Sequence, residues 1–209
     1  MKLSRTLDPV EIRVLGALME KERTTPDVYP LSLSALVAAC NQRSARSPVM
    51  ALEERDVEEA LDRLHAEVCV WPVEGARVRK WRHTLGRKWE LDDAAQAVMT
   101  VLLLRGAQTP GEIRTRTERL HRFGSVEEVE DVLARLATGE APLVVQLERL
   151  PGQKESRWMH LVGGEPEEAA AEPAPRPAAR GGELAERVRR LEERVAEFEE
   201  RLGRLEGSA

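Results

Sequence analysis

Basic and aromatic side chains between residues 77 and 89 form the strongest local signal in the chain. Six cations fall within twelve residues that contain no acid: Arg77, Arg79, Lys80, Arg82, Arg87 and Lys88. Trp81, His83 and Trp89 are interleaved with them. Lys and Arg release counterions from phosphates, and an indole ring can pack on a sugar or a base. The pattern predicts a surface that contacts the phosphate backbone of a nucleic acid.

Two further basic clusters could extend that surface. Arg43 and Arg46 precede the third predicted helix, and the second cluster lies on the fifth: Arg114, Arg116, Arg119, His121 and Arg122. Two alternatives stay open. The cations could pair with acidic helices and leave no free basic face, and the tryptophans could fill a seam between domains while the cations stay in water.

The helices that would enter a major groove are acidic. Residues 53–67 hold seven acids against two arginines, and residues 125–138 hold four acids against one arginine. Phosphates on both sides of a groove would repel such helices, so readout of base edges is not expected.

No pattern of catalytic side chains or of cofactor ligands is recognisable. No Gly-rich phosphate loop, no Ser or Cys nucleophile with a nearby histidine and no paired metal ligands occur at a specific spacing. Cys40 and Cys69 are interpreted as buried apolar fillers, although helical spacing could in principle bring them near His65 and His83 around a metal. We therefore expect a protein that is not an enzyme and binds neither a cofactor nor a metal.

The first half of the chain predicts three helices. Asp8 and Glu11 have the spacing of a capping box with proline at the first helical position, so a helix begins there. A second helix follows Pro30, and a third begins near Glu53. The third helix has apolar residues at i, i+3, i+4 and i+7, the pattern of one buried face.

Two short strands are predicted after the third helix. Val68–Trp71 and Val78–Trp81 flank the turn residues 74–76. Because proline lacks a backbone N–H, Pro72 places the first of these strands at the edge of a sheet.

The same order of elements then repeats. A helix is predicted from about Asp92 to Arg105, Thr109 opens one that continues through Leu120, and Ser125 opens the next. A hairpin from residue 143 to residue 162 follows. The predicted fold class is mainly α with small β-hairpins (α+β), arranged as two tandem winged-helix domains at residues 1–90 and 91–163.

The remaining residues have a different composition. Residues 164–182 are rich in Pro, Ala and Glu and predict a disordered linker. Residues 183–206 predict a coiled-coil helix, because apolar residues from Leu184 to Leu205 alternate spacings of four and three, and a homo-oligomer could form through residues 184–205. The net charge of −5 is concentrated in this segment, since residues 1–164 carry −1.

Several longer sequence runs resemble the YceH family of bacterial proteins. They are residues 29–33, 39–42 and 106–116, which read YPLSL, ACNQ and GAQTPGEIRTR. The resemblance covers about residues 7–162. It implies a tandem winged-helix fold and a family without an assigned biochemical role, so it brings no site residues with it.

These observations give two functional hypotheses for a chain with neither a membrane span nor a signal peptide, expected in the cytoplasm. The leading one is a DNA-associated regulatory protein that contacts the backbone through its first wing. The alternative is a protein–protein interaction adaptor that binds no nucleic acid.

Overall fold

The computed structural model describes residues 3–73, 78–149 and 155–165. Helices and short antiparallel strands make up these ranges, which confirms the predicted α+β class. The chain divides into two compact units, Met1–Glu167 and Glu168–Ala209. All described residues belong to the first unit, so the predicted coiled coil and all but the first two residues of the predicted linker lie outside them.

Helix α1 spans Pro9–Thr24 and begins as predicted. The Asp8 carboxylate accepts hydrogen bonds from the N–H groups of Val10 and Glu11, and the Glu11 carboxylate accepts one from the N–H of Asp8. This reciprocal pair is the capping box. A 3-10 turn at Pro26–Val28, strand β1 at Leu31–Ser32 and helix α2 at Leu33–Cys40 follow.

A three-stranded antiparallel sheet completes the first half. Helix α3 spans Glu54–Ala66, β2 spans Val70–Val73, β3 spans Lys80–His83 and the short helix α4 spans Leu85–Lys88. The strand order is β1-β3-β2, so Pro72 lies on an edge strand, as predicted.

Both hairpin strands begin two residues later than the sequence indicates. Val68 has a φ of 55°, which is left-handed backbone and cannot continue into an extended strand. Strand β1 and helix α4 are absent from the sequence prediction, because their two and four residues are too short for a periodic pattern.

The second half contains α5 (Asp93–Arg105), α6 (Pro110–Arg116), α7 (Val126–Leu136), β4 (Val144–Gln146) and β5 (Trp158–His160). Side chains of Thr109 and Ser125 cap α6 and α7, as predicted, and the side chain of Asp92 caps α5. Helix α6 is shorter than predicted. The buried Thr117 hydroxyl donates to the carbonyls of Ile113 and Arg114, and such bonds compete with helical ones.

Helices α1 and α5 pack against each other and lie at the centre of a continuous apolar core. Helix α1 also packs against α2 and α3, and α5 also packs against α6 and α7. Each of the two helices is therefore buried on more than one face, which requires apolar residues around most of its circumference. Cys40 and Cys69 lie in the same core as free thiols, which confirms the prediction that they are buried. Burial raises the pKa of Cys40 to about 12 and that of Cys69 to about 11.

Both halves of the unit thus contain three principal helices followed by a hairpin. The two-domain winged-helix arrangement, with domains at residues 1–90 and 91–163, remains an interpretation of this order.

Candidate nucleic-acid interface

Strand β3 divides the predicted basic surface into an inner and an outer face. Trp81 and His83 are buried, with 6% of each residue exposed, whereas Arg82 between them is exposed. Lys80 is half-buried and shares the face of Arg82, because alternate residues of a strand point to the same side. The basic side chains of β3 therefore lie on the side of the sheet away from the core.

Trp81 packs in the core, where its ring is closed to a ligand. This placement favours the interpretation of Trp81 as a filler. Trp89 is partly buried and lines a groove of about 480 Å³ beside Arg5, Ala141 and Leu143, away from the outer face of β3. Neither of the two tryptophans singled out in the sequence can stack on a base at this surface.

His83 is a structural residue. Its Nε2 lies 2.8 Å from Glu22 Oε2, and its Nδ1 accepts a hydrogen bond of 3.2 Å from the N–H of Leu85. The His83 N–H donates to the Tyr29 hydroxyl at 2.8 Å. The hydrogen bond with the His83 ring is the main cause that lowers the pKa of Glu22, and burial raises the pKa of Tyr29. Both ring nitrogens are thus occupied by groups of the chain itself.

Trp71 is the aromatic residue that the sequence interpretation missed. It lies on β2 directly opposite Arg82 in the antiparallel register, so the two side chains share the outer face. The residue is 51% exposed. The ring of His65 contacts the indole in an edge-on arrangement with centroids 4.9 Å apart. No sequence pattern marks Trp71, because its position beside Arg82 follows from the register between β2 and β3.

The remaining hairpin cations differ in accessibility. Arg79 and Arg87 are exposed, and within the described ranges neither forms an ion pair. Lys88 is half-buried, and its Nζ donates to the carbonyl of Glu67. Arg82 lies near enough to Glu22 to help lower the pKa of that carboxyl, although the two do not form an ion pair. Arg77 lies outside the described residues.

Of the cluster that precedes α3, only one member is accessible. Arg43 is exposed. The side chain of Arg46 is fully buried and donates to Glu20 Oε2 at 2.6 Å and to the carbonyl of Ala39 at 2.9 Å. Burial opposes ionisation of Glu20, but the hydrogen bond from Arg46 lowers the pKa of this carboxyl. Arg46 therefore does not belong to the candidate interface.

The α6 cluster is divided in the same way. Arg116 donates to Gln108 Oε1 at 2.7 Å and to Glu112 Oε1 at 3.0 Å, so its guanidinium is bound by other side chains of the protein. Arg114 is exposed and donates to the carbonyl of Gly124. Arg119 and Arg122 are exposed, and Arg122 lies 4.0 Å from Glu118.

The third helix of each half presents acids to solvent. The apolar side of α3 is buried, and its opposite side carries exposed acids: Glu54, Asp56, Glu58, Glu59 and Asp62. The exposed acids of α7 are Glu127, Glu128, Glu130 and Asp131. These surfaces would repel the phosphates on either side of a major groove.

Metal clusters and membrane spans are both missing from the described parts of the chain. Within residues 3–73, 78–149 and 155–165, no three His, Cys, Asp or Glu side chains are arranged to hold a metal ion. Over the same ranges, every helix is too short or too polar to cross a bilayer.

Comparison with known proteins identifies many relatives. A family model described as "Protein of unknown function, DUF480" matches residues 7–153. The chain is 52% identical over 185 residues to a UPF0502 protein of Geotalea uraniireducens strain Rf4, with 88% of this chain and 84% of the relative covered. It is 53% identical over 186 residues to a UPF0502 protein of Azoarcus sp. strain BH72, covering 86% and 82%. These alignments are longer than residues 7–162, so the similarity extends beyond the range recognised in the sequence.

Proposed function

The chain belongs to the DUF480 family of proteins of unknown function, in agreement with its YceH resemblance, and we propose that it is a DNA-associated regulatory protein. In this proposal the protein has no enzymatic activity, acts in the cytoplasm and contacts the phosphate backbone through its first hairpin. The order of helices and strands in each half supports the interpretation as tandem winged-helix domains, with β2 and β3 as the first wing.

The observation that carries the proposal is the outer face of this hairpin. Lys80, Arg82 and Trp71 share that face, and Arg79 adjoins it. Arg79, Lys80 and Arg82 form no ion pair within the described residues, so all three can bind phosphates. We define these four residues as the hairpin face. Further candidates for binding the backbone are Arg43, Arg87, Arg114 on α6, and Arg119 and Arg122 after that helix.

The proposed interaction should discriminate little between DNA sequences. The acidic outer sides of α3 and α7 disfavour insertion of either helix into a major groove, which leaves the phosphate backbone as the main source of affinity. Binding should therefore depend steeply on salt and weakly on sequence.

Removing the cations of the hairpin face tests the proposal. We expect the triple variant Arg79→Ala, Lys80→Ala, Arg82→Ala to bind unrelated DNA sequences more weakly by a similar factor. The slope of log K against log salt should become shallower by roughly 0.9 for each duplex phosphate that the variant no longer neutralises. Titrations by fluorescence anisotropy across salt concentrations measure both quantities.

A charge-matched control separates local binding from net charge. The variant Arg55→Ala, Arg135→Ala, Arg149→Ala removes the same charge from exposed positions outside the hairpin face and should bind DNA almost as wild type does. Equal decreases in affinity in the two variants would contradict a localised interface. A wild-type protein that binds no DNA at low salt would refute the proposal.

A second function, the protein–protein adaptor, is favoured by the acidic outer side of α3. Its five exposed acids would suit a basic protein surface, and the predicted heptads at residues 184–205 could add self-association. Two results together would support this alternative. The protein would bind no DNA, and the substitutions Glu58→Lys and Asp62→Lys would abolish binding of a captured protein partner.

A further inference from the structure

We infer that the hairpin face selects an unpaired nucleic-acid strand over a duplex, with Trp71 as the stacking platform for a base. The inference rests on the proposed function and adds to it the physical state of the nucleic acid. It follows from the position of Trp71, from its cationic neighbours and from the acids of the adjacent helix.

Trp71 is held in place while much of its ring stays open. Its backbone belongs to β2, which is paired along its whole length with β3. The His65 ring of α3 contacts the indole edge-on, and the residue remains 51% exposed. Contact of an exposed indole ring with water is unfavourable, so covering the ring with a base is favourable. Because the ring is already fixed, it loses little conformational entropy when a base stacks on it.

The cations lie where the backbone of a stacked nucleotide would pass. Arg82 is directly across from Trp71, and Lys80 is two residues further along the same strand and face. That spacing corresponds to roughly 7 Å along an extended strand. Aromatic stacking combined with a cationic track is the way proteins bind single strands without strong sequence preference.

A duplex fits this surface less well for two reasons. Its bases are stacked on each other, so none is available to Trp71 unless the duplex is opened. Its second strand also carries phosphates, and α3, which packs against β2, exposes Glu58, Glu59 and Asp62. A single strand can follow the hairpin with fewer phosphates near these acids.

Binding of three nucleic-acid probes by the full chain tests the inference. The probes are a 15-nucleotide oligo-dT, an oligo-U of the same length and a DNA duplex of the same length. We expect wild type to bind both single strands more tightly than the duplex. Trp71→Leu should weaken single-strand binding roughly 5- to 100-fold, the decrease expected for one stacked base, and should hardly affect the duplex. Trp71→Phe should retain most of the affinity.

Tryptophan fluorescence provides a second readout. Stacking should quench the emission of wild type when oligo-dT is added, and the quenching should be absent in Trp71→Phe, which keeps the other three tryptophans. Unchanged thermal melting of Trp71→Phe and Trp71→Leu would assign the weaker affinities to binding rather than to folding.

The outcomes separate this inference from the proposed function. Duplex binding equal to or tighter than single-strand binding, with no effect of Trp71→Leu, would overturn the inference and leave the proposed function standing. Absence of binding to all three probes would refute both. Binding of oligo-U alone, abolished in Trp71→Leu, would support the single-strand inference and refute DNA as the partner.

Discussion

Buried ionisable side chains hold the N-terminal segment and the loop after α2 in place. Glu11 is fully buried and accepts two hydrogen bonds from Arg5, at 2.6 and 2.8 Å, and one of 3.3 Å from Arg63 of α3. Arg13, 2% exposed, donates to the carbonyls of Cys40 and Pro48. A cation at the last carbonyls of α2 also interacts favourably with the helix dipole. Both side chains therefore connect α1 to distant parts of the chain.

Loss of the Glu11 charge should be costly. We expect Glu11→Gln to lower the free energy of unfolding by about 1 to 2 kcal/mol, because Arg5 and Arg63 lose the carboxylate they share but remain partly exposed to water. Glu58→Gln, a change of the same kind on the exposed side of α3, should cost less than about 0.5 kcal/mol. Urea titrations of both variants provide the measurement, and equal midpoints would contradict the role assigned to Glu11.

His160 should make stability depend on pH. It is 5% exposed, its Nδ1 has no hydrogen-bond partner among the described residues, and burial lowers its pKa from 6.5 to about 4. Between these values the unfolded chain takes up a proton that the folded protein does not. The contribution of His160 to the free energy of unfolding is thus fully present above pH 6.5 and is lost as the pH falls towards 4.

Comparison with a non-titrating variant isolates this effect. Relative to His160→Gln, wild type should lose on the order of 3 kcal/mol between pH 7.5 and pH 4. The difference in unfolding free energy should stay constant above pH 7.5. Parallel stability profiles down to pH 4 would show that His160 does not control this loss.

Residue-scale partners can be predicted from the sequence only where they are local. The capping boxes at Asp8 and Thr109 follow from spacing within one turn, and the structure confirms both. The sequence leaves open whether Arg46 extends a basic surface or pairs with an acid of the chain, and its partner in the structure, Glu20, is 26 residues away. Spacing along the chain contains no information about such a pair.

The sequence predicts helices and strands better than it predicts the face on which each of their side chains lies. Pro72 fixes the edge position of β2, and the capping residues fix three helix starts of the second half. The face of each hairpin side chain follows from alternation along its strand, which a two-residue shift in the start of the strand leaves unchanged. The sequence favours Trp81 for stacking because Lys80 and Arg82 flank it, but alternation places it on the opposite face from them, whereas the register between β2 and β3 brings Trp71 to their face.

The crossing of α1 and α5 depends on a glycine. A Cβ added at Gly16 would lie 2.9 Å from Cγ and Cδ2 of Leu104 and 3.1 Å from Cβ of Leu103. Such distances are too short to be accepted without movement of the Leu104 side chain or of α5. The absence of a side chain at Gly16 thus permits the close approach of the two helices.

Alanine substitutions at two helical glycines should have opposite effects. We expect Gly16→Ala to lower the free energy of unfolding by about 1 to 3 kcal/mol through overpacking. Gly111→Ala in α6, where an added Cβ meets no atom of the described residues within 4 Å, should stabilise by up to about 1 kcal/mol through helix propensity. Thermal melting measures both, and a stabilising Gly16→Ala would contradict the tight crossing.

For the described unit as a whole, the sequence repeat and the observed packing lead to different expectations about folding. The repeat suggests two domains that fold separately. The core, however, is continuous from α3 through α1 and α5 to α7, and the Ser47 N–H donates to the Leu104 carbonyl at 2.9 Å across the two halves. Arg23 and Asp93 add an ion pair between them. A fragment that ends near residue 90 would expose the face of α1 that packs on α5.

The two halves should therefore unfold together. Trp81 reports on the first half and Trp158 on the second, so variants of the full chain that keep one of these tryptophans, with the other three replaced by Phe, allow each half to be followed separately. We expect coincident urea transitions, because separating α1 from α5 exposes apolar surface on both. Val57→Ala, a truncation in the core of α3 within the first half, should lower the midpoint of both probes equally. Distinct midpoints, or a shift confined to Trp81, would indicate two independently stable domains.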